Sequence, residues 1–157
     1  MYKRQVFETA LPAMEKRGWK GTIYAAMGLC DTTNHLGLHM STQDMKTAYE
    51  AGHEIADHTF AHIDANAVSP TSFLSDIQKN QDLLKSLGIP PSRSFAYPYG
   101  EVSLATKTAL SKRFDLMRGI HSSKSSHSID LNQAASQRLF SGPDFEQTRQ
   151  ALSLIHI

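Results

Sequence analysis

Asp57-His58-Thr59-Phe60-Ala61-His62 is the segment of this chain best equipped for chemistry. Two imidazoles four positions apart, directly after a strand-like stretch, can reach one cation from a single turn of chain, and neutral imidazole suits zinc and similar divalent ions. The chain holds 8 histidines, so such a spacing also arises without a function, and the pattern alone leaves ordinary polar positions open. Further on, Phe95-Ala96-Tyr97-Pro98-Tyr99-Gly100 sets two aromatic residues around a proline that fixes the backbone, with a glycine free to turn sharply. Read blandly, Tyr97 and Tyr99 are packing rings at a strand end.

The elements that must position these residues alternate between helical and strand-like periods, with no repeat and no low-complexity tract. A helix over Val6 to Arg17 is expected to stop at Gly18, with Phe7, Ala10, Leu11 and Met14 on one face and Pro12 as a kink or late start. A strand comes next, within Gly21 to Gly28. Ser41, Thr42 and Asp44 offer caps for a helix to about Ala51, after which His53 to Asp57 reads as a short strand with His58 at its C-terminal end. Ser69 and Pro70 open a helix to Leu87 whose apolar stripe is Leu74, Ile77, Leu84 and Leu87. A strand at Ser94 to Pro98, a helix near Val102 to Lys112 and a strand in Phe114 to Ile120 complete the clear pattern. The segment from Gln137 to Gly142 is a candidate last strand, and Pro143 and Asp144 could open a final short helix. Strands separated by helices of this length imply right-handed crossovers and a mostly parallel sheet, closed as a barrel or open and doubly wound. In a barrel the chemistry gathers at strand C-termini, where His58 and the segment from Tyr97 to Gly100 fall.

Composition narrows the class. With 157 residues, 40% hydrophobic and 20% charged, the chain reads as one globular domain or most of one. The formal net charge is +1 and no run of five basic residues occurs, which speaks against nucleic acid or anionic lipid as partners. No stretch of about 18 apolar residues is present to span a bilayer. The single cysteine, Cys30, excludes an intrachain disulfide and a thiolate cluster, and is read as an ordinary thiol. Trp19 is expected to pack at a helix end.

The stretch Gly52-His53-Glu54-Ile55-Ala56-Asp57-His58-Thr59-x-x-His62 resembles the second motif of the polysaccharide deacetylases, the NodB-homology domain. Phe95 to Gly100 resembles that family's third motif, which forms one wall of its active-site groove. The opening segment from Val6 to Ala26 looks like the stretch directly after the family's Thr-Phe-Asp-Asp-Gly motif, so the resemblance runs across roughly residues 6–151. It implies a partial, distorted (β/α) barrel lacking its first strand, with His58 and His62 as ligands of a divalent metal, most fittingly zinc. It also implies oxyanion and substrate contacts from Tyr97, Pro98, Tyr99 and Gly100. The activity implied is hydrolysis of acetyl groups from a polysaccharide or oligosaccharide, at nitrogen or oxygen, and relatives commonly work at the cell envelope or outside the cell.

The departures from the family pattern are equally specific. MYKRQ stands where the aspartate pair of the opening motif is expected, and with LSLIHI at the other end it resembles translated sequencing-adapter text. Residues 1–5 and 152–157 are therefore expected to be non-native, and a chain without that aspartate pair is expected to be inactive. Ala96 occupies a position where the family usually carries an arginine that orients the base. No counterpart of the late Leu-x-x-His motif stands out: His156 belongs to the adapter-like tail, and His121 and His127 read as solvated side chains. A non-catalytic carbohydrate-binding relative of the same fold is the alternative, and an unrelated α/β protein whose histidines bond locally is a third reading. Metal identity, polysaccharide and oligomeric state stay open at this level.

Overall fold

The computed structural model describes residues 4–35, 37–121, 129–136 and 146. A turn of π-helix at Val6–Ala10 leads into α1 (Leu11–Glu15), followed by β1 (Thr22–Ala25). A small antiparallel ribbon, β2 (Thr33–Asn34) with β3 (Gly37–Leu38), precedes α2 (Thr42–Glu50). Then come β4 (Glu54–Asp57), α3 (Pro70–Ser86), β5 (Ser94–Ala96), α4 (Leu104–Leu110) and β6 (Leu116–Arg118).

Strands β1, β4, β5 and β6 form one parallel sheet in that spatial order, each laid beside the previous one. Parallel strands added in sequence order, with every crossover of one hand, wind in one direction, as in a (β/α) barrel and unlike a doubly wound sheet, whose strand order reverses. The fold is therefore α/β, a partial barrel with four parallel strands among the described residues. Period-2 alternation sorts the side chains. Ile23, Ala25, Ile55, Phe95 and Met117 are buried against the helices, while Tyr24, Ala56, Ala96 and Arg118 share the opposite, concave face by register.

The caps work as their residue types dictate. Ser41 and Asp44 make a reciprocal capping box on α2, and Ser69 accepts from the Ser72 N–H with Pro70 in the first turn of α3. Gly18 and Gly88 take φ values of +68° and +80° at the helix ends, a conformation that favours glycine.

Some expectations change. The first helix is a π-turn followed by a single short α-helix, because Pro12 cannot donate inside a continuous ladder; only Leu11 of the expected face is buried, and Ala10 is exposed. On α3 the buried face is Phe73, Ile77, Asn80, Gln81 and Leu84, with Leu74 and Leu87 at its half-buried margins. The helical period starting at Phe73 runs through 77, 80, 81 and 84, so two polar residues, Asn80 and Gln81, are carried into the interior. Trp19 is 61% exposed beside the Arg17 guanidinium instead of packed. Residues 131–134 lie along β6: the Met117 N–H donates to Leu131 O at 2.7 Å and the Gly119 N–H to Ala134 O at 3.1 Å, covering that sheet edge. The expected strand at 137–142, Pro143, Asp144, His127 and His156 lie outside the described residues.

Candidate metal centre and groove

Strand β4 delivers His58 to the rim in one step, since the strand ends at Asp57. The chain then turns abruptly: Thr59 and His62 have φ values of 62° and 55°, and Tyr99 across the rim has 59°. Three of the four described non-glycine residues with positive φ thus sit in one place, the fourth being Asp31. Such left-handed residues cost about 1–3 kcal/mol each and persist only where their surroundings over-determine them.

The His58 Nδ1–H donates to the Ala96 carbonyl at 2.6 Å. A carbonyl can only accept, so the proton is on Nδ1 and Nε2 carries the lone pair, the tautomer that metal-ligating histidines adopt when a backbone oxygen holds their other nitrogen. The His62 ring stands edge-on to it, with centroids 4.7 Å apart and planes at 76°. Tyr99 in turn stands edge-on to His62 at 4.6 Å. Burial pushes the His58 imidazole down to about 3 and lowers His62 as well, which keeps both rings neutral near pH 7. Two neutral rings each bound at roughly 2.0–2.1 Å to one cation have centroids about 5 Å apart, so the spacing and protonation of this pair fit a shared divalent ion. Among the described residues no third His, Cys, Asp or Glu joins them in a metal-sized group.

The second segment divides by burial. Tyr97 is in the core: its ring lies 5.1 Å from Phe95 and its hydroxyl reaches Met117 Sδ and Asn132 O, both at 3.3 Å, so this ring packs and does not face a groove. Pro98 and Gly100 are buried in a 3-10 turn, whereas the Tyr99 ring is 58% exposed beside His62. Gly100 is required twice over, by a φ of +75° and because a Cβ there would stand 2.4 Å from the Ile120 side chain. Cys30 is a buried thiol whose pKa burial pushes up to about 12, and His121 is exposed.

Sequence reasoning overlooks a buried layer beneath the histidines. Asp57 Oδ1 accepts from the Thr59 N–H at 2.9 Å and from Asn80 Nδ2 at 3.1 Å, while Oδ2 has no hydrogen-bond partner among the described residues; burial raises this carboxyl to about 7. Asp76 Oδ2 accepts from the Phe60 and Ala61 N–H groups at 2.7 and 2.9 Å. The signal was present in the helical period, which puts Asn80 in line with Phe73, Ile77 and Leu84. Arg118, paired in register with Ala96, lays its guanidinium 5.6 Å from the Tyr24 ring across the concave face, bringing a cation to the face where the third motif shows alanine. Only the three-dimensional pairing of β5 with β6 reveals it.

Residues 1–115 match the model of the family described as polysaccharide deacetylase. The chain belongs to the polysaccharide deacetylase family. Its relative YxkH of Bacillus subtilis (strain 168), named among the polysaccharide deacetylases, is 26% identical over 106 residues, covering 68% of this chain and 37% of YxkH. The Streptococcus pyogenes deacetylase PplD, solved in complex with acetate, superimposes with a TM-score of 0.80 at 21% identity, over 94% of this chain and 65% of PplD. IcaB from Ammonifex degensii superimposes with a TM-score of 0.73, also at 21% identity, over 96% of this chain and 68% of IcaB. At these identities the two structures speak for the fold. This deacetylase-family chain thus spans 37% of YxkH and 65% of PplD.

Proposed function

We propose that this chain carries the metal-binding part of a hydrolase that removes acetyl groups from a polysaccharide, with His58 and His62 as protein ligands of a divalent ion, most fittingly zinc. The observation that carries the reading is the pair itself: two neutral imidazoles 4.7 Å apart, His58 buried with its tautomer fixed by Ala96 O and His62 half-buried beside it. A divalent ion held there would supply a water of pKa about 7 and would polarise the acetyl carbonyl. The chain's own residues orient and hold. Ala96 O keeps His58 Nε2 as the lone-pair nitrogen, and the Tyr99 ring packs against His62 while offering its exposed face to a pyranose. The backbone N–H of Tyr99 is the oxyanion donor in this reading, since Pro98 has none.

The pair accounts for part of a coordination sphere, and no carboxylate joins it among the described residues. The test is calorimetric titration of the metal-free protein with zinc, beside the His58→Ala plus His62→Ala variant. Wild type is expected to bind one equivalent and the variant at least tenfold more weakly; equal affinity removes the metal reading. Glycan affinity unmoved by a chelator would favour a carbohydrate-binding relative that works without metal.

A further inference from the structure

The loop that carries both histidines is anchored largely to one helix. Asp76 and Asn80 stand one turn apart on α3 and so face the same way. Asp76 Oδ2 takes the N–H groups of Phe60 and Ala61 at 2.7 and 2.9 Å, both between the two histidines. Asn80, fully buried, donates through Nδ2 to Ala25 O at 2.9 Å and to Asp57 Oδ1 at 3.1 Å, and accepts the Met27 N–H at 2.9 Å. Asp57 Oδ1 passes the hold on to the Thr59 N–H at 2.9 Å. On the other flank, Phe60 O accepts the Gly28 N–H at 2.9 Å, and the Lys79 ammonium sits 3.9 Å from the Phe60 ring.

One helix thus grips the loop on both sides of its first left-handed residue, Thr59, and ends its grip one residue before the second, His62. A loop with two disfavoured φ values relaxes unless it is held, and relaxation would swing the His62 ring away from His58. Helix packing alone does not require this arrangement: an apolar residue at position 80 would fill the same interior space without bonding to the ends of β1 and β4. A carboxylate at 76 receiving two backbone donors is likewise a device for loop geometry, since an anionic acceptor makes shorter and stronger bonds than a neutral one.

We propose that Asp76 and Asn80 are positioning residues that set the spacing and orientation of the His58 and His62 imidazoles. The proposal rests on the metal reading for the identity of the ligand, but the placement of the rings can be observed without metal. The experiment uses the full chain as wild type, Asp76→Ala, Asp76→Asn and Asn80→Leu, with two readouts. In metal-free protein, imidazole nitrogen and proton chemical shifts report the tautomer of His58 and the surroundings of His62. In a cobalt(II) titration, visible absorption reports ligand geometry and affinity. Asp76→Ala is expected to move the imidazole signals, with the far-ultraviolet circular dichroism spectrum kept, and to weaken cobalt binding about 10- to 100-fold, the range for supporting residues around a metal. Asp76→Asn, which keeps an acceptor oxygen, is expected to restore most of both. Asn80→Leu should displace the same signals; should it fail to fold, the Asp76 pair decides. Imidazole signals unmoved in Asp76→Ala overturn the proposal whatever cobalt does. Moved signals in a protein that binds no cobalt even as wild type keep the positioning role and defeat the metal reading.

Discussion

His58 and Asp57 are neighbours whose burial shifts their proton equilibria in opposite directions. The His58 imidazole, with an ordinary value of 6.5, is pushed to about 3, so its contribution to stability is present above the unfolded value and is lost as pH falls between the two. Asp57, ordinarily at 3.8, is raised to about 7, so its contribution is present at low pH and is lost as pH rises through that window. Between roughly pH 4 and 6.5 the two slopes oppose each other. Asp57→Asn removes one of them and should leave a protein that loses stability on acidification more steeply than wild type, by at most about 1.4 kcal/mol per pH unit. Urea unfolding at a series of pH values measures this, and parallel pH profiles for the two proteins would contradict it. Across the rim, Tyr97 and Tyr99 also diverge: two positions apart in sequence, one ring enters the core beside Phe95 and the other stays exposed beside His62, because the left-handed turn at Tyr99 reverses the expected alternation.

Among the elements, the short 3-10 turn Met27–Leu29 after β1 matters more than its length suggests. Gly28 donates to Phe60 O, and a Cβ on Gly28 would lie 2.6 Å from that oxygen and 2.7 Å from the Phe60 ring. Gly28→Ala is therefore expected to push the histidine loop outward at a cost of about 1–3 kcal/mol, through overpacking. Thermal unfolding gives the cost, and a drop in zinc affinity relative to wild type shows that the loop moved; a variant with unchanged melting and binding would refute the contact. Helices α2 and α3 are by contrast largely local matters. Ser41 with Asp44, and Ser69 with Pro70, start them where cap chemistry says they should, and Gly52 and Gly88 follow their ends with positive φ. The short α1 shows the limit of that logic, for it spans five residues with Pro12 second and buries only Leu11.

At the scale of the whole molecule, two apolar clusters among the described residues lie side by side between the sheet and its helices. One joins Ile23, Ala25 and Ile55 to Met45 and Ala48 of α2, and the other joins Phe95 and Met117 to Phe73, Ile77 and Leu110 of α3 and α4. Phe95 is the centre of the second, with Phe114, Tyr97 and Phe73 at 5.0, 5.1 and 6.1 Å between ring centroids. Phe95→Ala should cost about 3–5 kcal/mol, read from chemical denaturation, and a cost below about 1 kcal/mol would mean that the cluster collapses around the gap. The alternation of strand and helix, the caps, and the placement of an H-x-x-x-H pair at the end of a strand were all legible in the chain itself, since each depends on residues within a turn or two of one another. The tautomer of His58, set by a carbonyl 38 residues away, was not. Nor were the grip of Asp76 and Asn80 on the histidine loop and the meeting of Arg118 with Tyr24 across the concave face. Those depend on strand register and on which helix face turns inward, and packing of distant segments decides both.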